Sequence, residues 1–193
     1  MATKSAQIGL RDLHAAKLDD GSYSEVRSIL GSTEATMTVN QDEAILYADD
    51  IAFESTSNIS SVEVSLSLAN LSNEEIAFLL GSEIDEDGVL IESSDDVAPE
   101  VAFGFRSEKA NGEFRYVWLY RGTFQTPEET YQTKGDSTEF QTPSISGTFM
   151  ARQDDGRIRA KVDSDDEEVS SDVISNWFEA PYGYGDGGDG GES

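Results

Sequence analysis

Residues 101–122 constrain this chain more than any other stretch, because two runs rich in aromatic residues, 101–109 and 113–122, meet at Asn111-Gly112. An Asn-Gly pair between two such runs favours the positive-φ backbone of a type I′ hairpin turn. Taken as a two-residue turn, it sets Phe105 opposite Trp118, Phe103 opposite Tyr120 and Glu108 opposite Arg115. Phe103, Phe105, Phe114, Tyr116, Trp118 and Tyr120 then share one face, expected to line the core. Cross-strand aromatic pairs contribute roughly 0.2–1 kcal/mol each beyond an alanine pair, and more through burial.

A second strand is written in strict alternation. Val62, Val64, Leu66 and Leu68 interleave with Ser61, Glu63, Ser65 and Ser67, so one face is core and the other small and polar. A short helix follows over 72–81. Ser72 and Glu75 form a capping box, Leu71 and Ile76 sit at the positions of a hydrophobic staple, and Gly81 falls just past the end. Its apolar surface, from Ile76 to Leu80, must cover a sheet or a partner. Further strands are expected at 32–39, 138–141, 144–151 and 157–162, with Asp154-Asp155-Gly156 turning between the last two. Val169, Val173, Ile174, Trp177 and Phe178 have helical spacing, which predicts a C-terminal helix over about 168–179, stopped by Pro181.

The remaining segments are less regular. Residues 1–23, with Gly9, His14 and Asp20-Gly21, read as an N-terminal arm or as a first strand and a turn. Residues 40–61 have strand character only at 44–47 and read as a long loop; a stretch of this length without periodicity is usually functional or mobile. Residues 181–193 are Gly-rich and acidic, the composition of a disordered tail. The expected organisation is an arm at 1–23, a mainly β domain at 24–180, and the tail. The fold class is a β-sandwich or barrel with a short flanking helix and a C-terminal helix.

Charge is unevenly spread. The 193 residues hold 13 Lys and Arg against 39 Asp and Glu, a net charge of −26. Residues 28–105 carry 17 acids and no base, 106–161 nine bases and eight acids, and 162–193 ten acids and no base. Such a surface disfavours a grip on nucleic acid or on an anionic membrane, though not proximity to DNA. Two readings stay open: a solvated acidic surface, or self-complementarity between the mixed segment of one copy and an acidic segment of another. No apolar run is long enough to cross a membrane, the first residues lack the apolar core of a signal peptide, and no Cys is present for disulfides or thiolate chemistry.

Catalytic and cofactor patterns fail on inspection. His14 is the one histidine, and no nucleophile elbow accompanies it. With so many carboxylates, a glycosidase pair can always be drawn and carries no information. Asp85-Glu86-Asp87-Gly88, Asp163 to Glu168, and Gly187 to Glu192 each miss a required position of a calcium loop. Gly183 to Gly188 satisfies a dinucleotide pattern without a strand before it. No catalytic residue, cofactor or metal is expected, and the chain is read as a non-enzyme.

Residues 101–105, 111–124, 133–137 and 140–149 resemble the major tail proteins of long-tailed, non-contractile phages of Gram-positive bacteria. Gly9-Leu10, Leu46 to Asp50, the helix ending at Gly81, 89–92 and Trp177-Phe178 extend the similarity from about residue 8 to 179. The chain departs from that family in its acidic Gly-rich end and in His14, where an aromatic is expected. The resemblance implies a tail-tube β-sandwich that forms hexameric rings. These stack into a tube through which viral DNA leaves the capsid. It also implies a virion location after assembly in host cytoplasm, with tape-measure, tail terminator and distal tail proteins as further partners.

Within that scheme, Ser61, Glu63, Ser65 and Ser67 are expected to line the lumen, since their opposite face is committed to core. Leu46, Tyr47, Asp49, Asp50 and Phe53 are expected to reach a neighbouring ring. Arg152, Arg157, Arg159 and Lys161 are expected to receive an acidic segment of the next subunit. The alternatives are a carbohydrate-binding β-sandwich, which needs exposed Trp118 and Trp177, and a calcium-dependent adhesive module.

Overall fold

The computed structural model describes residues 5–24, 26–48, 51–127, 133 and 142–184, and side chains are described at all of these except 44–48 and 51–56. The expected strand at 138–141, Asp49, Asp50 and residues 185–193 lie outside the described residues. Eleven strands and two helices are described. In chain order they are β1 (Gln7–Asp19), β2 (Ser22–Tyr23), β3 (Arg27–Ile29), β4 (Ser32–Ala48), β5 (Ile51–Leu68), α1 (Asn73–Leu80), β6 (Glu83–Ile84), β7 (Leu90–Ile91), β8 (Val101–Lys109), β9 (Phe114–Phe124), β10 (Ser144–Met150), β11 (Arg159–Asp163) and α2 (Ser171–Ser175).

The protein is mainly β. One large antiparallel sheet runs β2-β1-β8-β9-β10-β5-β4, with β3 added to β1 and β11 to β9; β6 and β7 form a separate small hairpin. The sheet wraps a main apolar core that includes Leu13, Val62, Val64, Leu66, Phe103, Leu119, Phe124, Ile145 and Phe149, all at most 2 % exposed. Helix α1 seals this core with Ile76, Phe78, Leu79 and Leu80. Its capping box is formed as expected: Glu75 N–H donates to Ser72 Oγ at 3.3 Å and Ser72 N–H to Glu75 Oε2 at 2.8 Å. Gly81 takes the left-handed C-cap conformation (φ 81°).

The β8–β9 hairpin forms where expected but one residue out of the expected register. Lys109 N–H donates to Glu113 O at 2.7 Å and Gly112 N–H to Lys109 O at 2.9 Å, so the loop is Ala110-Asn111-Gly112, with Gly112 at φ 86°. A three-residue loop closed by a left-handed Gly replaces the two-residue turn. Phe105 therefore pairs with Val117, Phe103 with Leu119, Gly104 with Trp118 and Ser107 with Arg115.

A one-residue slip moves one strand's side chains to the other face. Phe103 and Phe105 stay in the main core with Val117 and Leu119. Tyr116, Trp118 and Tyr120 build a second, outer cluster with Ala102 and Trp177. Gly104 is required by this arrangement: a Cβ there would lie 2.7 Å from the Trp118 ring.

The outer cluster needs its own cover, and residues 171–184 supply it. The helix expected over 168–179 is confined to α2 and followed by turns, and Trp177 O, four residues before Pro181 and so without a helical N–H partner, accepts Trp118 Nε1–H at 2.8 Å. Val173, Ile174 and Phe178 still pack inward. Nor does a free tail start at 181. Pro181 is buried, Tyr182 stacks on Trp177, and Tyr184 lies edge-on to Tyr23 and Tyr120.

Of the two readings of residues 1–23, the first strand and turn is the one formed and the arm is not: 7–19 are β1, paired to β8 along one edge and to β2 and β3 along the other, with Leu13 and Ala15 fully buried. The long loop expected at 40–61 is overturned. Residues 40–48 and 51–61 form the outer half of the β4–β5 hairpin, whose strands are 17 and 18 residues long.

Candidate assembly surfaces

Ser61, Glu63, Ser65 and Ser67 occupy the polar face of β5, and register extends that face across both neighbours. Ser65 lies between Thr36 of β4 and Ser146 of β10, Glu63 between Thr38 and Thr148, and Ser67 between Glu34 and Ser144. Side chains directly opposite on adjacent strands share a face. The result is a three-stranded surface of small hydroxyls that carries two carboxylates, Glu34 and Glu63. Asn40 fixes one corner, donating to Ser61 Oγ at 3.1 Å and Glu63 Oε1 at 2.9 Å. The first base reached across it is Arg121 on β9, and its guanidinium is taken by Glu100 Oε1 at 2.6 Å.

Beyond this surface the hairpin runs on as a pair of strands. Pairing of β5 with β10 spans Val62 to Ser67, whereas among the described residues 51–59 pair with β4 alone, and Ile59 is the last of them to pack against the core. At strand rise this stretch makes a two-stranded ribbon about 30 Å long. Leu46 pairs with Glu54 and Tyr47 with Ala52, which places Leu46, Tyr47 and Phe53 on this ribbon. A lone two-stranded ribbon is marginal in water and gains stability from a third element.

The four expected interface cations do not form one group. Arg152 is buried, with 3 % of its side chain exposed. It is engaged on every side: bidentate to Asp154, donating to Tyr23 Oη at 2.6 Å and Gly21 O at 3.2 Å, with the Tyr184 ring 4.1 Å away. These partners, Asp154 first, raise its pKa further above the ordinary arginine value. Arg152 ties the β1–β2 turn to the β10–β11 turn and to the C-terminal segment, so it cannot receive a neighbour. Arg157 is exposed but leans on Asp155 at 3.7 Å.

Arg159 and Lys161 differ. They project from β11 opposite Leu119 and Val117, and no carboxylate among the described residues comes within ion-pair distance of either. Partial burial, then the Arg159 and Arg115 charges, hold the Lys161 amine below the usual lysine range.

The remaining candidates are absorbed by the fold. Asp163 and Asp165, in the acidic run tested for calcium, are neutralised from within. Arg115 reaches Asp163 at 2.6 Å, and the buried Lys109 reaches Asp165 at 2.6 Å and Asp163 at 3.2 Å. Arg115 first and Lys109 second lower the Asp163 pKa; Lys109 lowers that of Asp165. Asp85 spends its carboxylate on the β6–β7 turn, accepting from Asp87 N–H at 3.0 Å and Val89 N–H at 2.8 Å. No cluster able to hold a metal exists among the described residues.

His14 stacks flat on Phe178, with ring centroids 4.1 Å apart. Desolvation lowers its pKa. Trp118 and Trp177 are buried at 0 % and 3 % exposure, so neither offers a platform to a sugar. Among the described residues no helix is long and apolar enough to cross a membrane. Sequence reasoning missed three groups that the fold sets in prominent places: Lys109, Tyr184, and the pair Lys17 and Arg27. Their partners lie far away in sequence, and no local pattern marks them.

No protein-family model matches the chain, and no curated protein matches it.

Proposed function

We propose that this chain is the repeating subunit of a phage tail tube. Copies join side by side into hexameric rings, rings stack through the β4–β5 ribbon, and the β4–β5–β10 polar face turns toward a lumen that passes DNA. Tape-measure, terminator and distal tail proteins are its partners in the virion. The observation that carries this reading is the three-stranded face of β4, β5 and β10, where hydroxyls at Thr36, Thr38, Ser61, Ser65, Ser67, Ser144, Ser146 and Thr148 accompany Glu34 and Glu63 and no base. A conduit must not hold its cargo. Small hydroxyls present no cation, and carboxylates repel phosphate over roughly 8 Å at physiological salt. The outer β4–β5 ribbon agrees, since it pairs only within itself among the described residues and stacking would add a third element to it.

Electron microscopy of the concentrated protein tests the proposal: rings or hollow tubes are expected, and a chain that stays monomeric at every concentration and salt contradicts it. Lumen orientation has its own check. In this Cys-free chain, Ser65→Cys should react with a thiol reagent of any size in the free subunit, but only with reagents narrower than the lumen once assembled. Equal reactivity with bulky reagents in both states rejects the assignment.

A further inference from the structure

Lys17 and Arg27 differ from seven of the nine other described bases. Arg11, Arg106, Lys109, Arg115, Arg121, Arg152 and Arg157 each have a carboxylate partner. Lys17 and Arg27 have none among the described residues, although the chain carries −26. The fold brings them together. Arg27 on β3 pairs with Ala15, two residues before Lys17 on β1, so both side chains rise from one face of the sheet. The Lys17 Nζ and the Arg27 guanidinium lie 5.0 and 4.8 Å from the centre of the Phe78 ring. They open onto a pocket of about 440 Å³ that Ser24, Ser82 and Ile84 also line, with Glu74 at its side. Two cations, two hydroxyls and an aromatic floor make a receptor for carboxylates on a slender backbone.

From this geometry we infer that the pocket binds an acidic, glycine-rich peptide and that its occupant is the chain's own segment 185–193. That segment reads Gly-Asp-Gly-Gly-Asp-Gly-Gly-Glu-Ser, with carboxylates at Asp186, Asp189 and Glu192 and no side chain to obstruct a close approach between them. The last described residue, Tyr184, is anchored 5.4 Å from the Tyr23 ring. Tyr23 adjoins Ser24, and Ser24 N–H donates to Lys17 O at 2.8 Å. Nine extended residues reach about 30 Å, enough to round the β2 edge of the sheet. So short a tether holds the carboxylates at millimolar effective concentration, at which even weak pairwise attraction gives high occupancy. The inference does not depend on tube formation.

Carbodiimide coupling of the full chain at low salt, with mass mapping, reads the contact directly. The reagent activates a carboxylate, the Lys17 amine displaces it, and an amide forms with net loss of water. Coupling of Lys17 to Asp186, Asp189 or Glu192 is expected, within one chain when light and ¹⁵N-labelled copies are mixed. Arg27→Ala should lower the yield by about tenfold or less, and raised salt should lower it likewise. Neutralising the segment with Asp186→Asn, Asp189→Asn and Glu192→Gln should free the pocket. A synthetic peptide of residues 185–193 should then bind this variant and not the native chain. Recovery of Lys17 uncoupled, coupled only to Glu74, or coupled only between chains would overturn the assignment, as would equal peptide binding by native and neutralised proteins.

Discussion

The β4–β5 and β8–β9 hairpins are both long antiparallel ladders, yet they are finished in opposite ways. The β8–β9 hairpin is covered on both faces, by the main core on one side and by residues 171–184 on the other. Its loop end is locked by Lys109, Arg115, Asp163 and Asp165. The β4–β5 hairpin is covered on one face near its base, and its outer strands pair with each other alone among the described residues. On the proposed function, that outer part is completed by another copy of the chain. Arg159 and Lys161 on β11, which have no carboxylate partner among the described residues, would be completed in the same way.

The contrast can be broken at its strong end first. Lys109→Met leaves two carboxylates short of a cation in a largely buried place, and a loss of about 3 kcal/mol is expected by denaturant unfolding, because Arg115 and Asn111 retain part of the binding. A loss below about 1 kcal/mol would show that the loop end is not locked as described.

Acid separates the same groups more gently. Asp163 and Asp165 have folded pKa values below their unfolded ones, owing to Arg115 and Lys109. Their stabilisation is fully present above the unfolded value near 4 and is lost as pH falls through the folded values. The melting temperature of the native chain should therefore drop below about pH 4, and that of Lys109→Met should drop less steeply. Parallel curves would remove Lys109 from the account.

At the open end the expected effect on stability is smallest. Leu46→Ser with Phe53→Ser should change the unfolding free energy by no more than about 0.5 kcal/mol and yet prevent stacking. Arg159→Glu with Lys161→Glu should likewise leave the fold intact and block ring closure. For the native chain, raising salt should speed assembly, since repulsion among copies at −26 is screened more than close interface pairs are. Tubes that dissolve in salt, or a double reversal that assembles normally, would require a different interface.

How much of this was legible in the sequence depends on how local each cause is. The buried face of β5 and the capping box of α1 were readable because alternation and a four-residue signature state them outright. The β8–β9 turn was readable in place but not in register: Asn-Gly serves a two-residue turn or ends a three-residue loop, and the choice moved Tyr116, Trp118 and Tyr120 to the outer cluster. The ribbon was misread because only 44–47 looked like a strand and no alternation marks the rest of 40–61, and a strand without a committed core face has no reason to alternate. Arg152 was misread because charge is ordinarily a surface property. Nothing local shows that Tyr23, Asp154 and Tyr184 converge on its guanidinium. Lys109 with Asp165, and Lys17 with Arg27 over Phe78, are tertiary pairings that only the fold brings together.

The central claim is that residues 41–60 belong to the assembly and residues 62–68 to the subunit. Amide hydrogen exchange on the free and the assembled protein tests it within a single hairpin. The account predicts slow exchange for 62–68 in both states, and for 41–60 fast exchange in the free subunit that becomes slow in tubes. Equal protection of 41–60 in both states would contradict it.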